Sequence, residues 1–207
     1  MANQQHLDRL ISVRHTWNDW NAWMYTHKEL IDLIGADLQE RDLIGIHLAE
    51  ANLTYADLRG CILCGACLDY ADVAHAHLQQ ADLSTASLFY ANLIGSDCQN
   101  ANFNVAFMSD AIADGACFRH CDFSWQPGGA AACLAGGSFR ECDFSYSDLR
   151  QTNLEGADLT GARFYGARFE YTSLRGAKLD GARFNRHVLK NEELVVTGDL
   201  EYPDLPA

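Results

Sequence analysis

A large apolar residue at every fifth position is the feature that most constrains this chain. From Leu33 to Phe123 this site recurs 19 times, and 15 of its occupants are Leu or Phe. The pattern resumes from Leu134 to Phe184, where all 11 sites are Leu or Phe. A period of five fits neither an α-helix, at 3.6 residues, nor a strand, at two. A strict repeat of this kind indicates a solenoid, in which each unit turns the chain by a constant angle.

The repeated unit reads Ala-Asp/Asn-Leu-x-x, as in Ala51-Asn52-Leu53 and Ala157-Asp158-Leu159. These units resemble the pentapeptide-repeat family over about three quarters of the chain. The segment Trp17-Asn18-Asp19-Trp20 ahead of them is similar to one found in many bacterial, especially cyanobacterial, members. The resemblance implies an all-β solenoid, a right-handed quadrilateral β-helix in which each unit forms one face and four units form a coil.

The units predict three segments. Residues 32–189 are expected to form the β-helix, whose seven to eight coils give a rod about 35 Å long at the ~4.8 Å spacing of paired strands. In residues 1–31 the apolar side chains recur at helical spacing, so we expect an N-terminal α-helical cap over the open end of the solenoid. A docking helix for a partner is the alternative for this segment. Residues 190–207 are expected to form a tail.

The spacing between Phe123 and Leu134 is 11 residues, one more than two units require. We therefore predict a one-residue insertion within residues 124–133, where Pro and Gly favour a bulged turn. Counting onward places Phe144 on Phe123 and Cys142 on Cys121. Two cysteines stacked on adjacent coils are close enough to form a disulfide if they are oxidised. The sequence favours two reduced thiols in the core, and whether they are ever oxidised stays open.

Composition favours a soluble cytoplasmic protein. No apolar run reaches the ~18 residues of a membrane span, and Met1 to His6 has no apolar signal-peptide core. The net charge of −13 opposes direct binding to nucleic acid. It suits solubility, or a basic groove that normally holds DNA.

No metal, cofactor or catalytic residue is predicted. Cys61, Cys64 and Cys67 have the spacing of an iron–sulfur motif, but their positions in the unit point them in different directions and a fourth ligand is missing. Cys117, His120 and Cys121 diverge in the same way. Because side chains on a filled β-helix radiate outward, no cleft for catalysis is expected, and we predict that the protein is not an enzyme.

The leading hypothesis is a scaffold that binds a protein partner through an aromatic face. The outward sites of the fourth face hold His47, Cys67, Ser87 and Phe107, and the count in fives places no acid there before Asp148. Aromatic residues are enriched at protein interfaces, and a contiguous apolar patch marks contact. The predicted contact residues are Tyr70, Phe89, Tyr90, Phe107 and Trp125. Scattered turn tyrosines, or a patch covered by the bulge, remain the alternative.

A second hypothesis makes the chain an acidic mimic of DNA. The resemblance implies it, because some family members mimic duplex DNA, bind DNA gyrase or topoisomerase IV, and modulate the enzyme or protect it from inhibitors. The acidic columns of the other three faces would carry this function through Asp37, Asp57, Asp72, Asp82, Asp97 and Asp122. Basic sites near the C-terminus, such as Arg163 stacked on Asp143, are predicted to form ladder pairs. The oligomeric state stays open.

Overall fold

The computed structural model describes residues 3–12, 18–27, 29–124 and 131–185. Two helices come first, α1 over Gln4–Ser12 and α2 over Asn18–His27. Two short strands, β1 over Arg163–Phe164 and β2 over Arg183–Phe184, pair in parallel. The remaining coils are joined by single parallel bridges, one in each five-residue unit.

Residues twenty positions apart lie side by side. Asp32 bridges Asn52, which bridges Asp72, and the next units along the chain repeat this from Asp37, Asp42 and His47. The chain therefore completes a coil in four units and returns to the same column. We number the four faces by their outward columns, which begin at Asp32 (first face), Asp37 (second), Asp42 (third) and His47 (fourth).

Each position of the unit has a local role. In the first unit the Ala36 N–H donates to the Leu33 carbonyl at 3.0 Å and closes a turn, whose third residue, Gly35, has a φ of +65°. Among the described residues, sixteen that are not glycine also have positive φ, all at this corner position. The carboxylate of Asp32 accepts the Ile34 N–H at 3.1 Å, a short-range bond that only a side chain such as Asp or Asn makes. The Asp/Asn preference of the unit thus has a structural cause.

The core consists of stacked apolar columns. Every described unit buries its central residue, and every one except the unit of Arg41 also buries the residue two positions earlier, which is usually small. On the second face Phe118 stacks on Phe144 at 5.0 Å, Phe144 on Phe164 at 5.3 Å, and Phe164 on Phe184 at 4.8 Å between ring centroids. This column runs without a break past residues 125–130.

The one-residue insertion is wrong, because six residues are inserted. Asp122 bridges Asp148 and Phe107 bridges Cys133, so this coil is 26 residues long where the others have twenty. Phe144 therefore stacks on Phe118, and the N–H of Phe123 bonds the carbonyl of Asp148. A count in fives cannot distinguish one extra residue from six, and this shifted every predicted column by one face.

The same correction applies to the cysteines. Cys142 does not lie on Cys121, since the unit of Cys121 pairs with the unit that contains Ser147. Both thiols are free and buried, and they donate to different carbonyls, Cys121 to Cys98 at 2.8 Å and Cys142 to Ala113 at 2.9 Å.

The two helices contact the first coil. In later coils each outward N–H donates to a carbonyl of the preceding coil, as Asn52 does to Ile31. The first coil has no such neighbour: the Asp32 N–H donates to Nδ1 of His6, and the His47 N–H donates to Oδ1 of Asn21. Trp20 is buried and donates to the His47 carbonyl at 2.8 Å. Sequence spacing predicted helix throughout residues 4–31, whereas α2 ends at His27; Trp17 lies outside the described residues.

Candidate protein-binding surface

Four of the five predicted contact residues form two stacked aromatic pairs. The rings of Tyr70 and Tyr90 lie 5.0 Å apart and within 10° of parallel, and those of Phe89 and Phe107 lie 6.0 Å apart. The tyrosines occupy fourth-face corners with positive φ and are 60% and 50% exposed, while both phenylalanines are half-buried. Trp125, the fifth predicted residue, lies outside the described residues. We call these four side chains the aromatic surface.

Acidic groups border the aromatic surface without interrupting it. Asp69 accepts the Ser87 hydroxyl at 2.5 Å and the Phe89 N–H at 3.1 Å, so its charge is held at the side of the Phe pair. Asp110 stands one coil beyond Tyr90 in the corner column. Its negative charge, together with its hydrogen bond to the phenol, raises the pKa of Tyr90.

The corrected register makes the fourth face acid-free at its outward column. Asp148 was predicted to stand there, but it bridges Asp122 on the third face. The column instead continues from Phe107 through Cys133, Asn153 and Ser173. Across the described coils the fourth face therefore differs from the other three, each of which carries carboxylates in its outward column.

The six acids predicted for DNA mimicry lie on three different faces. Asp37, Asp57 and Asp97 stand on the second face, Asp72 on the first, and Asp82 and Asp122 on the third. Their carboxylates make local bonds: Asp82 accepts the Ser84 N–H and the Asn102 amide at 3.0 Å each. A hydrogen bond from Arg59 is the main cause that lowers the pKa of Asp57. The acids thus spread their charge over three of the four faces.

Charge divides the solenoid at the inserted segment. Residues 29–124 contain 14 Asp and Glu against 3 Lys and Arg, a net charge of −11. Residues 131–185 contain 7 of each, a net charge of zero. Ion pairs follow this division. Arg163 pairs with Asp143, Arg168 with Asp148 and Lys178 with Asp158 at 3.9, 3.1 and 3.5 Å, as the ladder interpretation predicts.

The cysteine groups hold no metal arrangement in the part of the chain that the structure describes: no group of three or more His, Cys, Asp or Glu is placed to bind an ion. Burial raises the pKa of the Cys61 thiol to about 11 and that of Cys98 to about 12. The Cys61 thiol donates to the Leu38 carbonyl at 2.9 Å. These buried groups behave as small hydrophobic residues.

Among the described residues, no helix has both the length and the apolar character that crossing a membrane requires.

The geometry defines a class of protein: a parallel-bridged solenoid with a filled core, whose outward side chains line its surface. The chain belongs to the pentapeptide repeat family. The family model for pentapeptide repeats matches eight copies, over residues 31–69, 66–104, 86–124, 130–161, 138–170 and 147–186. Members of this family are right-handed quadrilateral β-helices and are generally structural or binding scaffolds.

Solved structures of other pentapeptide repeat proteins are similar to this chain. HetL, involved in regulating heterocyst differentiation in the cyanobacterium Nostoc sp. strain PCC 7120, is 20% identical, with 82% of this chain and 97% of HetL covered and a TM-score of 0.41. QnrB1, a plasmid-mediated fluoroquinolone resistance protein, is 20% identical over 72% of this chain and 70% of its own, with a TM-score of 0.38. Rfr23 from the cyanobacterium Cyanothece 51142 is 16% identical over 76% and 98%, with a TM-score of 0.35. No curated protein matches the chain.

One group of side chains was missed by the sequence analysis. Arg119, Tyr146, Arg163 and Tyr165 line a common groove on the second face. The wrong register hid it, because a predicted step of 21 residues pairs His120 with Glu141, whereas the true step of 26 stacks the rings of His120 and Tyr146 at 5.0 Å. The signal in the sequence was the succession of Arg163 and Arg183 in one outward column.

Proposed function

We propose that this protein is a non-enzymatic scaffold that binds a protein partner through the aromatic surface formed by Tyr70, Phe89, Tyr90 and Phe107. The observation that carries the proposal is an exposed tyrosine pair next to a half-buried phenylalanine pair, on the face whose outward column lacks acids in the described coils. Stacking fixes the rings in place, so a partner loses little side-chain entropy when it packs on them.

The area of the surface suits an anchor within a larger interface. Tyr70 and Tyr90 keep 60% and 50% of their surface exposed. At ~150–250 Å² for a fully buried aromatic side chain, the two offer about 200 Å² to a partner. A standard interface covers ~800 Å² on each side, so the tyrosines supply about a quarter of it. Trp125 was predicted to extend this contact and stays part of the proposal.

The test is capture from a lysate of the source organism with immobilised wild type, a Phe89→Ser/Phe107→Ser variant and a Tyr171→Ser control. Tyr171 is a matched control because it is also a corner aromatic, 70% exposed, but on the third face. Wild type and the control should retain the same partner at ~0.1 and ~0.5 M salt. The double variant should lose it at least about tenfold.

Thermal unfolding of each variant keeps the result interpretable, since both phenylalanines are half-buried. If the double variant stays folded and still captures the partner, the aromatic surface is not the contact. Equal loss in the Tyr171 control would also reject the assignment.

The acidic charge of residues 29–124 favours a second candidate, a DNA mimic that acts on DNA gyrase or topoisomerase IV. This range carries a net charge of −11, and its described residues form one ion pair with each other, Arg59 with Asp57. A basic groove on the enzyme would attract this negative charge, and salt would screen the attraction. If the protein has this function, it should inhibit supercoiling or protect the enzyme from a quinolone. The effect should fade between ~0.05 and ~0.3 M salt, and it should be weaker for the Asp82→Asn/Asp122→Asn variant. Inhibition that is indifferent to salt would contradict it.

We also infer that α1 and α2 act as a cap and that the coil is right-handed, as in the family. The support for the cap is chemical: side chains of both helices and the backbone N–H of Asn3 pair with Asp32, Gly45 and His47, which have no preceding coil to bond. A docking function for these helices is the alternative. Replacing Asn21 with Ala removes its hydrogen bonds with the His47 N–H and the Gly45 carbonyl and should destabilise the fold by about 1–2 kcal/mol.

A further inference from the structure

A groove of about 570 Å³ lies on the second face in the C-terminal coils, separate from the aromatic surface. Because successive units form successive faces, the second and fourth faces are on opposite sides of the coil. The floor of the groove stands over the column of Phe118, Phe144 and Phe164, whose stacked rings are fully buried. Its principal lining residues are Arg119, Asp143, Ser145, Tyr146, Arg163 and Tyr165.

The two arginines of this groove, and Arg183 beside it, have few carboxylate partners among the described residues. Arg163 and Arg183 are direct partners in the pairing of β1 and β2, and like charges on adjacent strands repel. The nearest carboxylate to Arg163 is that of Asp143 at 3.9 Å, the longest ion pair in the described ranges. Neither Arg119 nor Arg183 has a carboxylate within 4.0 Å among the residues that the structure describes.

In the other like-charge steps of the solenoid one member is closely paired. Asp37 and Asp57 are neighbours, and Arg59 binds Asp57. Asp122 and Asp148 are neighbours, and Arg150 binds Asp148 at 2.6 Å. In the Arg163–Arg183 step the corresponding pair, Arg163 with Asp143, is longer at 3.9 Å. An anionic ligand would therefore add neutralising charge that the ladder supplies only weakly here.

Tyrosine rings border the same cations. Tyr146 is 55% exposed, stacks on His120 at 5.0 Å and has the guanidinium carbon of Arg119 at 6.0 Å from its ring centre. Gly166 lies on its other side with a φ of +69°; a Cβ there would be 2.7 Å from Cδ1 of Tyr146. The glycine thus lets the ring lie flat along the groove, where it offers a planar apolar border beside the cations.

We propose that this groove binds a nucleoside phosphate. The guanidinium groups of Arg119 and Arg163 bind the phosphate oxygens, for which their planar donors are matched. The base packs against the part of the Tyr146 ring that His120 and Gly166 leave exposed. The volume far exceeds that of an inorganic phosphate and falls in the ~300–1,000 Å³ range of small-molecule sites.

Calorimetric titration of the full-length protein with ADP, adenosine and pyrophosphate tests this proposal. ADP should bind at one site with a Kd below about 1 mM. Adenosine and pyrophosphate should each bind at least about tenfold more weakly, because each fills only half of the groove. Arg119→Gln, Arg163→Gln and Tyr146→Ala should each weaken ADP binding about tenfold.

Arg175→Gln is the matched control. Arg175 is also an exposed arginine of the C-terminal coils, but it pairs with Glu155 at 3.2 Å on the fourth face. This variant should bind ADP like the wild type, and thermal unfolding should show that all variants stay folded. Absence of ADP binding, pyrophosphate binding as strong as that of ADP, or equal weakening by Arg175→Gln would each overturn the proposal.

Discussion

Deleting residues 125–130 should leave the fold intact. Joining Ser124 to Ala131 creates a regular unit, because Phe123 and Leu134 then stand five residues apart and Ala132 and Cys133 take the small and outward positions. The 26-residue coil becomes a coil of twenty residues. The bridges of Phe107 to Cys133 and of Asp122 to Asp148 are retained.

The expected energy change is small, because two terms oppose each other. Removing a six-residue excursion saves loop-closure entropy of about 1.6 kcal/mol, from (3/2)RT ln n. Ala131 would then occupy a corner, where positive φ costs a non-glycine residue about 1–2 kcal/mol. The deletion variant should therefore unfold within about 1 kcal/mol of the wild type, which corresponds to a Tm shift of about 2–4 °C in a chain of this size.

Urea and thermal unfolding followed by circular dichroism measure this change. The deletion variant that also carries Ala131→Gly is the internal control, since glycine removes the corner strain and should recover about 1 kcal/mol. Under the one-residue interpretation the deletion would remove a whole face of a coil. A loss of cooperative unfolding, or a Tm lowered by more than about 10 °C, would therefore refute the register described here.

Two further predictions concern the core. Phe144→Ala should destabilise the protein by about 3–5 kcal/mol in urea unfolding, because the ring is fully buried between Phe118 and Phe164, whereas Phe89→Ala, at a half-buried site, should cost clearly less. Stability should also fall as pH rises from about 9 to 11, since the folded state keeps the proton of Cys61, with its pKa of about 11, while the unfolded chain releases it near the ordinary thiol value of 9.0. The midpoint of urea unfolding against pH measures this loss, which Cys61→Ala should reduce; an unchanged slope would contradict it.

The sequence predicted the fold because the five-residue period encodes what each side chain does inside a coil. Leu33 and its equivalents fill the core, and Asp32 and its equivalents close the turns. The period also located the Tyr70–Tyr90 pair, since twenty residues separate stacked positions. It failed between Phe123 and Leu134, because a pattern with period five is blind to the loss or gain of whole units.

The wrong register also misplaced residues on the predicted surface. It assigned Asp148 to the fourth face, and it left Tyr146 away from His120 and Arg119. Grooves arise from side chains of several coils together, and their prediction needs the absolute register of each coil. The bounds of α1 and α2 were also beyond the pattern, because apolar spacing does not reveal where two consecutive helices divide.

The phenylalanine column continues without a break past the insertion and connects the acidic coils to the coils that carry no net charge. The ring centroids of Phe118 and Phe144 lie 5.0 Å apart, and those of Phe144 and Phe164 lie 5.3 Å apart. The acidic and the neutral coils therefore share one continuous core. Outward residues of one part can therefore change without disturbing those of the other. A disruptive substitution in the shared column has the opposite consequence. It would impair both surfaces at once, even where the substituted residue lies far from either of them.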